Sequence, residues 1–323
     1  MLLPWLGKPV WMWLVFIAVV MALLALDLGV LHRKAREIGV RESLWMSGFY
    51  VAVALLFGAW TWATLGEQAG EEYLTGFLVE KTLAMDNVFV ISLIFGYFAI
   101  PAALQHRVLL WGILGVIVLR AAMIGAGAAL VSGFSWILYV FALFLMATGI
   151  KMLTMGHTAP DLAANPVLRL LRRHLRVTPG LEGERFIVRK PDPVTGRTTL
   201  WATPLLIALL MIEFVDLVFA VDSVPAIFAI TDDPFIVYTS NIFAILGLRA
   251  MYFALAAMLP RFRYLKPAMA AVLVFIGGKI FVADLAGWEK FPASLSLGIT
   301  LALLGAGVAF SLWRTRKPAP TPP

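Results

Sequence analysis

Residues 213–225 read Glu213-Phe214-Val215-Asp216-Leu217-Val218-Phe219-Ala220-Val221-Asp222-Ser223-Val224-Pro225, inside an apolar run from about 201 to 229. A bilayer-spanning helix needs about 20 mostly apolar residues. A charge near the bilayer centre costs roughly 2.5–3.5 kcal/mol on insertion scales. Three carboxylates in one such run therefore call for a reason. A second run shares the pattern: Glu80-Lys81-Thr82-Leu83-Ala84-Met85-Asp86-Asn87-Val88. Glu80 to Val88 and Asp216 to Val224 both read acid, two residues, apolar, Ala, apolar, Asp, small polar residue, Val.

The parallel continues downstream. Leu119-Arg120-Ala121 is answered by Leu248-Arg249-Ala250, and Gly149-Ile150-Lys151 by Gly277-Gly278-Lys279. Apolar letters match by chance; acids, Arg and Lys in the same order do so far less easily. A unit of three helices repeated directly must enter the membrane from the opposite side. The pattern thus predicts inverted repeats, spans 3–5 and 6–8, about a pseudo-two-fold axis in the membrane plane. Secondary transporters use this architecture, with the substrate site near mid-bilayer.

Composition agrees with a membrane protein. The 323 residues are 61% hydrophobic and 14% charged, against about 45–50% apolar and about 25% charged for soluble domains. Nine apolar stretches are expected, near 10–30, 44–66, 73–98, 107–130, 134–155, 201–229, 235–259, 267–286 and 294–313. The fold class is all-α and polytopic. The first stretch is too long, and too poor in a cleavage signal, for a signal peptide. Basic loops (HRKAREIGVRE after span 1, LQHR after span 3, PRFRYLK after span 7) alternate with acidic or neutral ones. Positive-inside reasoning then places the N-terminus outside and the C-terminus in the cytoplasm. The expected organisation is 1–155 (spans 1–5), 156–199 (a cytoplasmic basic loop), 200–313 (spans 6–9) and a disordered Pro-rich tail, 314–323.

The loop 156–199 carries eight Lys/Arg against four Asp/Glu. Residues 166–176 read as a short basic amphipathic helix suited to an anionic leaflet. ERFIVRK and RTTLWA flank PDPVTG as a small β-hairpin. The plain reading is a solvated loop that sets topology; the alternative is a docking surface. The net charge of +7 fits basic cytoplasmic loops, and nucleic acid is not expected as a partner.

Charges that fall within spans include Glu80, Asp86, Glu213, Asp216, Asp222, Arg120, Arg249 and Lys279. Left unpaired they would cost on the order of 20 kcal/mol, beyond the ~5–15 kcal/mol net stability of a typical protein. They must face one another, a cavity, an ion or protons. Structural salt bridges such as Arg249 with Asp222 are the plain reading. Among these eight, acids outnumber bases five to three, which leaves acid for a cation or protons. At 100° per residue, Glu80 shares a face with Asn87, and Asp216 with Ser223; Glu213 neighbours Asp216. Asp86 and Asp222 point about 120° away. An unbroken helix would keep them from a common ion. Pro225 lacks an N–H and clashes with the Val221 carbonyl, so an unwound Val221–Ser223 is expected, with a simple kink as the alternative.

Carboxylate, amide, hydroxyl and carbonyl oxygens are hard ligands suited to Mg²⁺, Ca²⁺ or Mn²⁺. The absence of cysteine excludes thiolate sites and disulfides. The four histidines, His32, His106, His157 and His174, sit in or beside loops. A buried carboxylate without a cation takes up a proton, so one site holding either is the minimal chemistry of a cation/proton antiporter. Asp27, near the end of span 1, is an accessory candidate that equally suits pairing with Arg33 or Lys34. Asp284 and the acidic outer loops suit an outer mouth.

The motifs at Glu80–Asn87 and Glu213–Ile227 resemble the signatures of the TerC/Alx integral membrane family. Asp233 to Arg249 continues the resemblance, with Ser240-Asn241 inside it, and Leu26-Asp27-Leu28 fits near the start. It covers about 26–313. One departure is Ala84, where the family more often has Ser; Thr82 is a milder one. The resemblance implies metal-ion homeostasis, chiefly manganese export. It also implies metal supply to secreted enzymes, an alkaline response, and tellurium resistance arising indirectly. It implies a bacterial plasma membrane, and adds Asn241 as a further accessory.

The reading is therefore a divalent metal-ion exporter, Mn²⁺ favoured and Ca²⁺ the alternative, exchanging cation for protons. Asp86, Asn87, Asp222 and Ser223 form the site, with Glu80, Glu213 and Asp216 as ligands or proton carriers. Arg120, Arg249 and Lys279 are their charge partners when no cation is bound. No permanently bound cofactor and no catalysis are expected, since no HExxH, Ser–His or nucleotide-binding motif is present. The competing reading is a scaffold or metal chaperone that docks secretory or metalloenzyme partners through 156–199.

Overall fold

The computed structural model describes residues 4–29, 39–134, 136–154, 162, 164–191, 196–258, 265–288 and 290–314, and only the backbone of 4, 28, 29, 86, 249, 256–258 and 265. The Pro-rich tail beyond Arg314 and the basic segments 30–38 and 259–264 lie outside the described residues.

A two-stranded ribbon, β1 (Pro4–Trp5) and β2 (Lys8–Pro9), precedes α1 (Val10–Gly29). The Trp13 indole N–H donates to the Trp5 carbonyl at 2.9 Å, and Lys8 pairs with Asp233 at 2.8 Å. Then follow α2 (Val40–Leu65), α3 (Glu67–Tyr97), α4 (Ala102–Gly133) and α5 (Ile137–Thr154). After α6 (Pro166–His174) and an antiparallel hairpin of β3 (Ile187–Pro191) and β4 (Thr198–Ala202) come α7 (Pro204–Phe228), α8 (Pro234–Leu246), α9 (Leu248–Met258), α10 (Leu265–Leu285) and α11 (Ala293–Arg314). The chain is an all-α polytopic membrane protein. Seven of the described helices (α1, α2, α4, α5, α7, α10 and α11) are long and apolar enough to cross a bilayer. Nine crossings require α3 and the α8–α9 pair as well. Helix α3 has the length but carries Glu67, Glu71, Glu72, Glu80, Lys81 and Asp86.

Helix packing runs chiefly α3 on α8, α4 on α7 and α5 on α10. The α5–α10 seam is made by glycines. A Cβ on Gly149 would stand 2.7 Å from the Ala270 carbonyl oxygen, and one on Gly277 would stand 2.5 Å from the Ala142 carbonyl oxygen. Only a missing side chain lets the backbones approach so closely.

Two local expectations differ from the structure. Helix α7 runs unbroken through Pro225, so Val221–Ser223 does not unwind. The proline lies in the last turn, where it removes a single ladder bond, and the Ala229 N–H still donates to the Pro225 carbonyl at 2.9 Å. The break falls instead at Gly247, between α8 and α9. There the Lys81 ammonium donates to the Ala244 carbonyl at 3.1 Å, at a place where a Gly247 Cβ would stand 2.6 Å from Lys81 Nζ. A side chain inserted into the ladder ends a helix turn, and a cation suits the negative C-terminal end of α8.

Helix α6 also differs in its setting. Asn165 caps it, its side-chain oxygen accepting from the Val167 and Leu168 N–H groups. Leu168 is buried, and Val167, Leu171 and Leu175 pack with it on the core that includes Leu205 and Ala208 of α7. The apolar face is thus covered by protein rather than left for lipid.

Candidate functional site

Helices α3, α4 and α7 bring five of the expected residues to one buried centre. Arg120 of α4 is 1% exposed. Its Nη1 donates to Glu80 Oε1 at 2.5 Å and to Ser223 Oγ at 2.6 Å. Its Nε donates to Asp216 Oδ2 at 3.1 Å, and Nη2 to Asp216 Oδ1 at 3.2 Å. Asn87 Nδ2 completes the group by donating to Asp216 Oδ1 at 3.2 Å. The helical faces explain the convergence: Glu80 and Asn87 lie seven residues apart on unbroken α3, and Asp216 and Ser223 do the same on α7. The pairs Glu80/Asp216 and Asn87/Ser223, which hold matching places in the two sequence motifs, therefore meet around one guanidinium, whose fork matches two carboxylates.

The charges do not balance. Two carboxylates face one guanidinium, and Glu213 adds a third acid one helical turn from Asp216. Both Glu213 carboxylate oxygens are buried without a hydrogen-bond partner, as is Asn87 Oδ1. Gly112 and Gly115 of α4 make room for Glu213: a Cβ at Gly112 would stand 3.8 Å from Oε1, and one at Gly115 would press into the carboxylate. A narrow cavity of about 30 Å³ reaches the centre, bounded by Asn87, Arg120 and Asp216 at its polar end and by Ile91, Leu109 and Gly112 beyond. That is room for a water or two.

The other expected residues lie elsewhere. Asp222 does not join the centre. Helix α7 continues as a helix, so its side chain turns toward α5, where Thr148 Oγ1 donates to Asp222 Oδ1 at 3.4 Å and Lys151 lies within electrostatic reach. Lys279 pairs with none of the proposed acids. Helix α10 presents it to a separate cavity, where its ammonium donates to Ser296 Oγ at 3.0 Å. The side chains of Asp86 and Arg249 lie outside the described residues. Asp27 is buried on α1, which packs on α8. Asn241 is fully buried in α8, with neither amide atom hydrogen-bonded.

Among the described residues no three Asp, Glu or His side chains form a group that could hold a metal ion. The oxygens suited to a hard cation are two carboxylates, one amide and one hydroxyl, and Arg120 engages three of these four groups. Sequence reasoning missed Lys81, Thr148 and the Gly112/Gly115 pocket. Small residues three apart in Gly112-Ile113-Leu114-Gly115 are a usable signal for close approach.

Comparison with known proteins places the chain. A family model described as "Integral membrane protein TerC family" matches residues 65–319. An uncharacterized membrane protein of Rickettsia bellii is 47% identical over 302 residues, covering 94% of this chain and 97% of that one. A relative in Myxococcus xanthus, also an uncharacterized membrane protein, is 47% identical over 318 residues, 98% of this chain and 96% of that one. A Salmonella typhi relative named as a membrane-bound redox modulator, Alx, is 45% identical over 316 residues, 95% of each chain. No solved structure matches the chain. The chain belongs to the TerC family of integral membrane proteins.

Proposed function

We propose that the protein exports a divalent metal ion, Mn²⁺ favoured, in exchange for protons across a bacterial inner membrane. The observation that carries this reading is the buried Arg120 centre, where two repeat-related carboxylates share one guanidinium and leave a negative charge to be balanced. In the cation-free state Arg120 occupies the carboxylates. A hard divalent cation competes for the same oxygens, with Asn87 Oδ1 as a buried acceptor that has no donor. Glu213 carries the exchanged proton, since an ionised carboxylate buried without donors is costly.

The packing supports the inverted-repeat part of the reading. A two-fold exchanging α3–α5 with α7–α10 maps the α3–α8 contact onto α4–α7 and the α5–α10 contact onto itself. It also maps Gly149 against Ala270 onto Gly277 against Ala142, and those two close approaches match to 0.2 Å.

The experiment is a proton-release titration. Adding Mn²⁺ to purified protein in weak buffer is expected to release protons, and Glu213→Gln to reduce the release. Saturating Mn²⁺ binding with no proton release would sink the exchange chemistry.

A scaffold or metal-chaperone role is the second reading. It is favoured by the ordered unit of α6 and β3–β4 and by exposed Arg169, Arg172 and Arg173, a basic face suited to an acidic partner. Replacing 156–199 with a short linker separates the two: an exporter keeps its flux, whereas a docking scaffold loses its activity. The name of the Salmonella relative raises a redox role. With no cysteine in the chain, such a role here would run through metal supply rather than a thiol couple.

A further inference from the structure

A second cavity, about 350 Å³ in volume, opens at the end of the bundle where α7 meets α8 and α10 meets α11. It lies apart from the Arg120 centre and shares no lining residue with that centre's cavity. Its size falls within the roughly 300–1,000 Å³ of small-molecule pockets.

Its polar groups are arranged unusually. Lys279 is 5% exposed and Glu72 is 7% exposed, and both line the cavity. They attract one another yet form no ion pair within 4 Å. Lys279 spends one of its three N–H groups on Ser296. Glu72 accepts one bond, at 2.8 Å, from the Gln68 amide. Buried charges are normally paired directly. Here the opposite charges line one cavity without touching. Nearer the mouth, Lys290 donates to Asp232 at 2.6 Å, so those two satisfy each other. Tyr139, Trp288 and Phe291 supply apolar wall.

We infer that this cavity binds a small zwitterion of the amino-acid class, its carboxylate on Lys279 and Ser296 and its ammonium on Glu72, with the aromatic wall covering the side chain. A simple anion would meet Glu72 as a like charge, and a simple cation would meet Lys279. A molecule small enough for the cavity and carrying both charges satisfies both and uses the remaining donors and acceptors. The site is independent of the cation reading.

The test is calorimetric binding to the full chain in detergent, with glycine, L-alanine and L-leucine as ligands. Sodium acetate, methylammonium chloride and MnCl₂ are the comparison ligands. At least one amino acid is expected to bind saturably, and at least tenfold more tightly than acetate or methylammonium. Lys279→Met and Glu72→Gln are each expected to weaken it at least tenfold. Should either fail to fold, Ala283→Phe places a ring in the cavity without touching a charge and is expected to abolish binding. The inference is overturned if no amino acid binds saturably to folded protein. It is overturned equally if acetate binds as tightly and Glu72→Gln has no effect, which marks an anion site. Tighter MnCl₂ binding in Lys279→Met would assign the cavity to a cation instead.

Discussion

Arg120 and Lys279 are both buried, but in two different ways. Arg120 uses four of its five N–H groups, in hydrogen bonds to two carboxylates and a hydroxyl. Lys279 makes one hydrogen bond and faces a cavity of about 350 Å³. Both are nearly inaccessible, so burial alone does not distinguish them; the partners do. A guanidinium paired to two carboxylates holds three helices together and blocks access to the acids it covers. A half-paired ammonium beside open space leaves donors for something else. The first arrangement suits a centre that changes partner, the second a pocket that receives one.

The largest expected effect comes from breaking the Arg120 side of that contrast. Arg120→Met leaves Glu80 and Asp216 buried without their cation, and removing one partner of a buried ion pair costs about 3–5 kcal/mol. Equilibrium unfolding in mixed micelles is expected to show that loss. Arg120→Lys is expected to recover only part of it, because an ammonium cannot fork to two carboxylates. Wild-type stability in Arg120→Met would mean the acids are not held by this arginine.

The α5–α10 seam, which borders the Lys279 cavity through Tyr139 and Lys279, gives the next effect. Adding a methyl at Gly149 or at Gly277 forces the backbones apart, and overpacking costs about 1–3 kcal/mol. Gly149→Ala and Gly277→Ala are expected to destabilise by similar amounts, since their surroundings match. A large effect at one position and none at the other would break the proposed two-fold.

On the open side the effect is smaller. Ser296→Ala removes the single bond to Lys279; hydrogen bonds to charged groups contribute about 1.5–3 kcal/mol, and water in the cavity replaces part of that. A loss of stability as large as that of Arg120→Met would erase the contrast.

The smallest effect is at the cavity mouth. Partial burial pushes the Asp232 carboxyl up, but the hydrogen bond and charge of Lys290 outweigh it and hold the group below its ordinary value. A depressed folded-state pKa contributes stability above the unfolded value, lost as pH falls through the folded one. Both side chains are more than half exposed, so screening keeps the contribution small. Thermal unfolding between about pH 3 and 7 is expected to show a slightly smaller acid-side fall for Asp232→Asn than for wild type. A larger fall in the variant would contradict this assignment.

Much of the buried centre was legible in the sequence. Seven-residue spacing put Glu80 with Asn87 and Asp216 with Ser223, and the three basic residues within spans offered Arg120, Arg249 or Lys279 as partners without choosing among them. The same helical geometry already turned Asp222 away; expecting it in the site relied on Pro225 to unwind α7. That failed because a proline in a final turn removes only one bond. The real break at Gly247 depends on Lys81, which arrives from another helix 163 residues away along the chain. No local pattern records such a contact. Lys279 was read from its place in the repeat, but its partner Ser296 lies on α11, outside the repeated unit. The ribbon before α1 was missed because its strands are two residues each, too short for any periodicity.

The central claim is that cation exchange passes through the Glu80–Arg120–Asp216 centre. Its most direct test is Mn²⁺ flux into proteoliposomes with and without an imposed pH gradient, comparing wild type with Asp216→Asn. Flux is expected to follow the gradient and to be abolished by the substitution. Well-folded wild-type protein that moves no divalent ion, or flux that Asp216→Asn leaves unchanged, would contradict it.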